Sequence, residues 1–204
     1  MSGGGGSLAK IRGGVETIAT VMAYLAGWNY IACALFITAD ILGRSFLGIS
    51  SAATVEITGY MLACGISWSL AHTLAARAHI RVDVLVNRMP LRIRAVLHVA
   101  ALALLGCFAV FLAWAGWSLL DETILFDAHD SSALHIPLML PQGLWNIGLI
   151  AFLVMIIALL LETLQFLLSG RFAETDALLG PRSIDDEAGE ALDAVAMARE
   201  GQAR

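Results

Sequence analysis

The run Arg77-Ala78-His79-Ile80-Arg81-Val82-Asp83-Val84-Leu85-Val86-Asn87-Arg88-Met89-Pro90-Leu91-Arg92-Ile93-Arg94 places five of the chain's twelve basic residues in a short bridge between two long apolar stretches. Arginines clustered beside apolar spans hold a connecting loop on the cytoplasmic side of a membrane, so this bridge orients everything around it. Within it, Val82, Leu85, Val86 and Met89 follow i, i+3, i+4, i+7 spacing, with Arg81, Asp83, Asn87 and Arg88 on other faces. That spacing suits a short amphipathic helix lying at the interface, and the alternation of Ile80, Val82, Val84 and Val86 also fits a strand. Pro90 ends the segment and can open the next helix.

The composition supports a lipid solvent. Of 204 residues, 59% are hydrophobic and 14% charged, with mean hydropathy +0.80, whereas soluble domains are about 45–50% apolar. The chain reads as an integral membrane protein. Its net charge of −5 is uneven, with acids gathered in one loop and in the C-terminal segment. No continuous basic face interleaved with aromatics exists, which excludes nucleic acid as a partner. Cys33, Cys64 and Cys107 sit in apolar runs without paired spacing; they read as small hydrophobes, and a thiol oxidoreductase is disfavoured.

Working outward from the bridge, four spans emerge, at about residues 17–40, 56–76, 94–120 and 141–168. The first run is too long for the apolar core of a cleaved signal peptide and long enough for a bilayer core of about 30 Å. Lys10 and Arg12 precede it within a Gly-rich segment, residues 1–14, which places the amino terminus in the cytoplasm. It ends at Asp40, with Arg44 one turn on in the favourable order for a pair. Thr54 or Ser51 is the candidate cap of the second span, and Glu56 falls in its first turn, where the dipole favours an anion. Gly59, Ala63, Ser67 and Ala71 recur every four residues there, a face along which another helix can approach closely. Ala19, Ala23 and Gly27 repeat the device in the first span.

Arg92 and Arg94 open the third span at a dipole cost of about 0.3–1 kcal/mol each, and attraction to anionic lipid of about 1 kcal/mol per base offsets it. Trp114 and Trp117 mark its outer end. The loop 121–135 holds four acids and no Lys or Arg, an external composition. A fourth run, interrupted by Glu162, closes at Arg171. Lys10, Arg12, Arg77, Arg81, Arg88, Arg92, Arg94 and Arg171 then lie inside against Arg44 outside. Residues 15–168 form an all-α membrane domain with both termini cytoplasmic, and residues 169–204 read as a polar, acidic, solvated tail.

The ionisable residues point to support rather than chemistry. His72 and His98 near the inner ends of spans two and three are the candidate axial pair of a haem anchor subunit, a competing reading, against their being interfacial neighbours of the arginines. Asp127, His129, Asp130 and His135 have no spacing that enforces a metal geometry. Asp40, Arg44, Glu56 and Glu162 lie near helix ends, and the central turns of all four spans carry no charge. A transporter acting alone would show polar residues or broken helices at mid-membrane. No cofactor, metal or catalytic residue follows from these patterns, and a stand-alone membrane protein without a partner is the third reading.

The residues from Asp40 to Arg94 resemble the small membrane subunit of tripartite ATP-independent periplasmic (TRAP) transporters, the DctQ-like family. The likeness rests on Gly43-Arg44-x-Phe46, on Glu56 opening the second span, on Ala78-His79-Ile80-Arg81-Val82-Asp83 with Asn87-Arg88-Met89-Pro90, and on Ile136-Pro137-Leu138 before the last span. It covers roughly residues 15–168. The family usually carries a Trp shortly before the acid that opens the second span; here Ala52, Ala53 and Thr54 occupy that region. The resemblance implies a non-catalytic subunit of the bacterial inner membrane that supports a large permease subunit. The permease would carry the substrate and sodium sites, and a periplasmic solute-binding protein would deliver a solute such as an organic acid. The expected contact set toward the permease or membrane lipids is Arg44, Glu56, Gly59, Ala63, Ser67, Ala71, Arg77, His79, Arg81, Asp83, Arg88, Arg92 and Arg94.

Overall fold

The structure, a computed structural model, describes residues 4–49, 51, 53–78, 86, 88–131 and 135–180, with four further positions between 189 and 199. Its elements are helices: α1 (Gly4–Leu42) running into a π turn (Gly43–Leu47), α2 (Thr54–Ala75), α3 (Leu91–Leu125), α4 (Met139–Leu168) and the short α5 (Phe172–Leu179). Among the described residues, three helical stretches are long and apolar enough to cross a membrane: Leu8–Leu47, Leu91–Leu125 and Met139–Leu168. α2 has 22 residues, about 33 Å at 1.5 Å per residue. Its Glu56, Thr58, Ser67, Ser69, His72 and Thr73 make it more polar than the others.

α4 is the centre of the bundle. It packs against α1, α2, α3 and α5, while α1 and α2 pack on each other and α3 contacts α4 and α5. Phe152, Met155, Ile156 and Leu159 of α4 are buried against Ala19 of α1, Ala71 and Leu74 of α2, and Val99, Leu102 and Ala109 of α3. Between helices in lipid there is little hydrophobic driving force, so close packing and interhelical hydrogen bonds must hold the seams. Both are present. On α4, a Cβ at Gly148 would stand 2.5 Å from Ser67 Oγ and 2.6 Å from the Ser67 carbonyl carbon, so α2 and α4 touch backbone to side chain. Asn29 Nδ2 donates to the Met61 carbonyl at 2.6 Å, Trp68 Nε1 to the Leu144 carbonyl at 2.7 Å, and Asn146 Nδ2 to the Gly116 carbonyl at 3.0 Å. These bonds cross the α1–α2, α2–α4 and α3–α4 seams, and Thr123 Oγ1 adds another across α3–α4, donating to Gln142 Oε1 at 2.7 Å.

Several boundaries differ from the sequence reading. The glycine-rich start is helical from Gly4 onward, against the poor helix propensity of glycine, and from its third turn Arg12 bonds Glu16 and Glu162 of α4. α2 has Ala53 at its N-cap and no side-chain cap; Ser51 Oγ instead accepts from the Ala53 N–H at 3.4 Å, and Thr54 Oγ1 donates to the Ser51 carbonyl at 3.2 Å. α3 continues through Asp121 and Glu122 to Leu125. The amphipathic bridge expected between helices 2 and 3 falls mostly on residues 79–85 and 87, outside the described residues. Beyond Gly170, whose φ of +73° turns the chain, the expected solvated tail begins with α5, where Thr175 and Leu179 are buried.

Candidate functional site

The family-motif residues Gly43, Arg44 and Phe46 form the π turn that ends α1. The Gly43 carbonyl accepts the N–H groups of Gly48 and Ile49, and a Cβ at Gly43 would press on the Ile49 carbonyl oxygen at 3.1 Å. Gly48, at φ +67°, reverses the chain. Arg44 Nη2 reaches Asp40 Oδ2 at 3.2 Å, the pair expected from the spacing, and Asp40 Oδ1 accepts the Ser51 N–H at 2.7 Å. Asp40 thus ties the helix end to the following loop. Glu56 sits in the first turn of α2, half-buried.

The small-residue face of α2 divides in two. Ser67 and Ala71 are 1% exposed, packed in the seams with α4 and α1. Gly59 and Ala63 are exposed, and a Cβ at Gly59 would meet nothing within 4 Å. Ala63 lines a shallow apolar groove of about 130 Å³ with Tyr60, Leu138 and Trp145. At this acidic pole, Asp130 is buried and hydrogen-bonded to the Tyr60 hydroxyl, while His129 turns its Nδ1 to the Asp127 carbonyl at 2.7 Å.

At the opposite, basic pole, arginines clamp α5 in place. Arg94 forms a two-pronged pair with Asp176, Nε to Oδ1 at 2.6 Å and Nη2 to Oδ2. Such fork-to-carboxylate pairs fix orientation as well as adding energy. His98 lies 3.6 Å from the same Asp176, and the Arg92 guanidinium stands 5.7 Å from the centre of the Phe172 ring. Arg77, in the left-handed region at φ +56°, donates Nη1 to the Ala177 carbonyl at 2.9 Å. Arg88 is exposed in the turn before α3. His79, Arg81 and Asp83, the core of the family signature, lie outside the described residues.

A second charged joint was only partly legible. Glu162, interrupting the fourth apolar run, has a side chain 5% exposed and accepts from Arg12 Nε at 2.6 Å. Arg12 also bonds Glu16 at 3.0 Å, so one guanidinium spans two carboxylates and locks α1 to α4. His72 Nδ1 lies 3.2 Å from Thr20 Oγ1. His72 and His98 therefore have separate partners on α1 and α5, and nothing in their placement supports a shared haem.

A family model described as "Tripartite ATP-independent periplasmic transporters, DctQ component" matches residues 33–166. The chain belongs to the DctQ family. Searches among curated proteins and among solved structures give no match. The matched DctQ region runs from the last quarter of α1 almost to the end of α4, taking in the π turn, the open face of α2 and the arginine bridge. A DctQ chain is a component of a TRAP transporter in a membrane, and the apolar helices agree with that setting. α5 and its partner Asp176 fall beyond the match, which is why the family likeness gave no notice of the clamp.

Proposed function

We propose that this chain is the small, non-catalytic permease subunit of its transporter, crossing the bacterial inner membrane four times with both termini in the cytoplasm. It supports the large permease subunit in sodium-driven uptake of a small organic acid or similar solute, delivered by a periplasmic binding protein. The observation that carries this reading, beside family membership, is where the charges sit. Arg12, Glu16 and Glu162 gather at one pole with Arg94 and Asp176, Asp40 and Arg44 pair at the other, and each pair closes on itself near a helix end. Between the poles the helices meet through Ser67, Gly148, Gly116 and Asn146. Ser67 and Asn146 spend their hydrogen bonds inside the bundle, as joints of a scaffold do, whereas a transport path needs charged groups or broken helices at mid-membrane.

The open outer half of the α2 face, Gly59 and Ala63, is the part of the expected contact set assigned here to the large subunit, because small side chains let a foreign helix approach closely. Arg88, and His79, Arg81 and Asp83 in the bridge, are assigned to lipid headgroups or to the permease's inner surface. The test is uptake by cells expressing the complete transporter with and without this chain. Loss of uptake together with loss of the large subunit from the membrane supports a scaffold. Unchanged uptake without the chain would remove it from the transport machinery.

A further inference from the structure

We propose that the cleft between α1 and α2 at the basic pole binds a membrane glycerophospholipid, its phosphodiester at Arg77 and one acyl chain along Ala23 and Tyr24. Two cavities share this cleft. One, of about 500 Å³, is lined by Arg12, Glu16, His72 and Arg77 and closed by α5; the other, of about 310 Å³, is lined by Thr20, Ala23, Tyr24 and His72, with Thr20 Oγ1 and His72 Nδ1 engaged with each other at 3.2 Å. His72 lines both. Positions 16, 20 and 24 recur every four residues on α1, so the second cavity continues the first along one helix face. The order along that face, charged at the pole and then uncharged, with Ala23 and the Tyr24 ring deeper in, is that of a phospholipid entering from the membrane surface.

The charges select the anchoring residue. Arg12 is already engaged by Glu16 and Glu162. Arg77 donates Nη1 to the Ala177 carbonyl, which holds its guanidinium at the cavity, and among the described residues no carboxylate pairs with it. A guanidinium fork fixed in this way matches a phosphate oxygen pair. Tyr24 is 71% exposed on the membrane-facing surface, so a chain reaches it laterally from the bilayer. A free phosphate would use the polar cavity alone and leave the apolar arm without a role. The inference rests on the reading that the basic pole meets a membrane surface, which cysteine labelling of the termini tests separately.

The experiment titrates the purified, delipidated full-length chain with dioleoyl phosphatidylglycerol and counts bound lipid by native mass spectrometry. One retained phospholipid is expected for the unmodified chain. Arg77→Gln, and Ala23→Trp, which fills the apolar arm, should each weaken retention at least fivefold. Arg77→Lys, which keeps the charge, should recover part of the loss, and Lys10→Gln, an exposed base lining neither cavity, should bind as the parent does. Glycerol 3-phosphate in hundredfold excess should fail to displace the lipid. Parent-like retention in both Arg77→Gln and Ala23→Trp, with helix content unchanged, overturns the proposal. Displacement by glycerol 3-phosphate also overturns it, in favour of a free-phosphate site. Because binding is read on the isolated subunit, failure of the permease assignment would leave this result standing, and the reverse holds too.

Discussion

Replacing Gly148 by Ala should loosen the bundle, whereas the same substitution at Gly59 should tighten it. The new Cβ at Gly148 would stand 2.6 Å from the Ser67 carbonyl carbon, against the 3.4 Å where ordinary contact begins. Relief requires α2 and α4 to part by about 3.4 − 2.6 = 0.8 Å, a gap that forfeits roughly a quarter to a half of each dispersion contact along the seam. Overpacking of this kind costs about 1–3 kcal/mol. Because the 2.6 Å clash is with backbone, which cannot swing aside, the cost falls at the upper end of that range, about 3 kcal/mol; the better helix propensity of Ala returns about 1 kcal/mol, leaving a net loss of about 2 kcal/mol. At Gly59, where nothing lies within 4 Å, only the propensity gain of about 1 kcal/mol remains. Reversible unfolding in mixed detergent micelles, followed by circular dichroism, reads both. A Gly148→Ala variant as stable as the parent, or a Gly59→Ala variant destabilised to the same degree, would refute the claim that close backbone approach holds the α2–α4 seam.

Arg12→Ala should destabilise by about 3 kcal/mol, since it strands a buried carboxylate; the Glu162 side chain is 5% exposed. Glu162→Gln, which leaves a neutral hydrogen-bonding group, should cost less in the same unfolding assay. Asp176→Ala removes both prongs of the Arg94 pair. After discounting for partial exposure this is worth about 1–2 kcal/mol, so proteolytic cleavage at the exposed Arg171 should quicken about tenfold. For topology, Lys10→Cys and Gly189→Cys should react with a membrane-impermeant maleimide only after permeabilisation, and Asp127→Cys in intact spheroplasts; reaction of all three in intact cells would contradict four spans with both ends inside.

The helices themselves were legible in the sequence because uncharged runs of this length have one economical home, the bilayer. The stretches expected at 17–40, 94–120 and 141–168 lie within α1, α3 and α4, the helices that hold the three segments long and apolar enough to cross a membrane, while the stretch expected at 56–76 is helical as α2 but is not among those three. The inner half of the small-residue face was legible for the same reason: Ser67 and Ala71 at four-residue spacing can only matter as a packing surface. Pairing at Asp40 and Arg44 followed from i, i+4 geometry.

What sequence did not reveal depends on partners distant in the chain. Arg12 meets Glu162 across 150 residues and Arg94 meets Asp176 across 82, and no local pattern announces either. Residues 172–179 are too short and too acidic to signal a helix; α5 exists because Arg94, Arg77 and Arg92 hold its carboxylate, its carbonyl and its ring. The extension of α1 back to Gly4 opposes the local propensity of a glycine-rich run. Asn29, Trp68 and Asn146 give no signal in the sequence because a single polar side chain in an apolar run carries no periodicity, although each supplies a seam hydrogen bond.

The most direct test of the central claim is affinity capture of the large permease subunit through a tagged copy of this chain, comparing the parent with Ala63→Leu. The parent should retain the permease in fixed proportion and support uptake; Ala63→Leu, whose side chain faces outward from the bundle, should fold normally yet retain at least fivefold less. Equal capture and equal uptake by Ala63→Leu would contradict the assigned face, and a permease that is stable and fully active with no copy of this chain present would contradict the scaffold role itself.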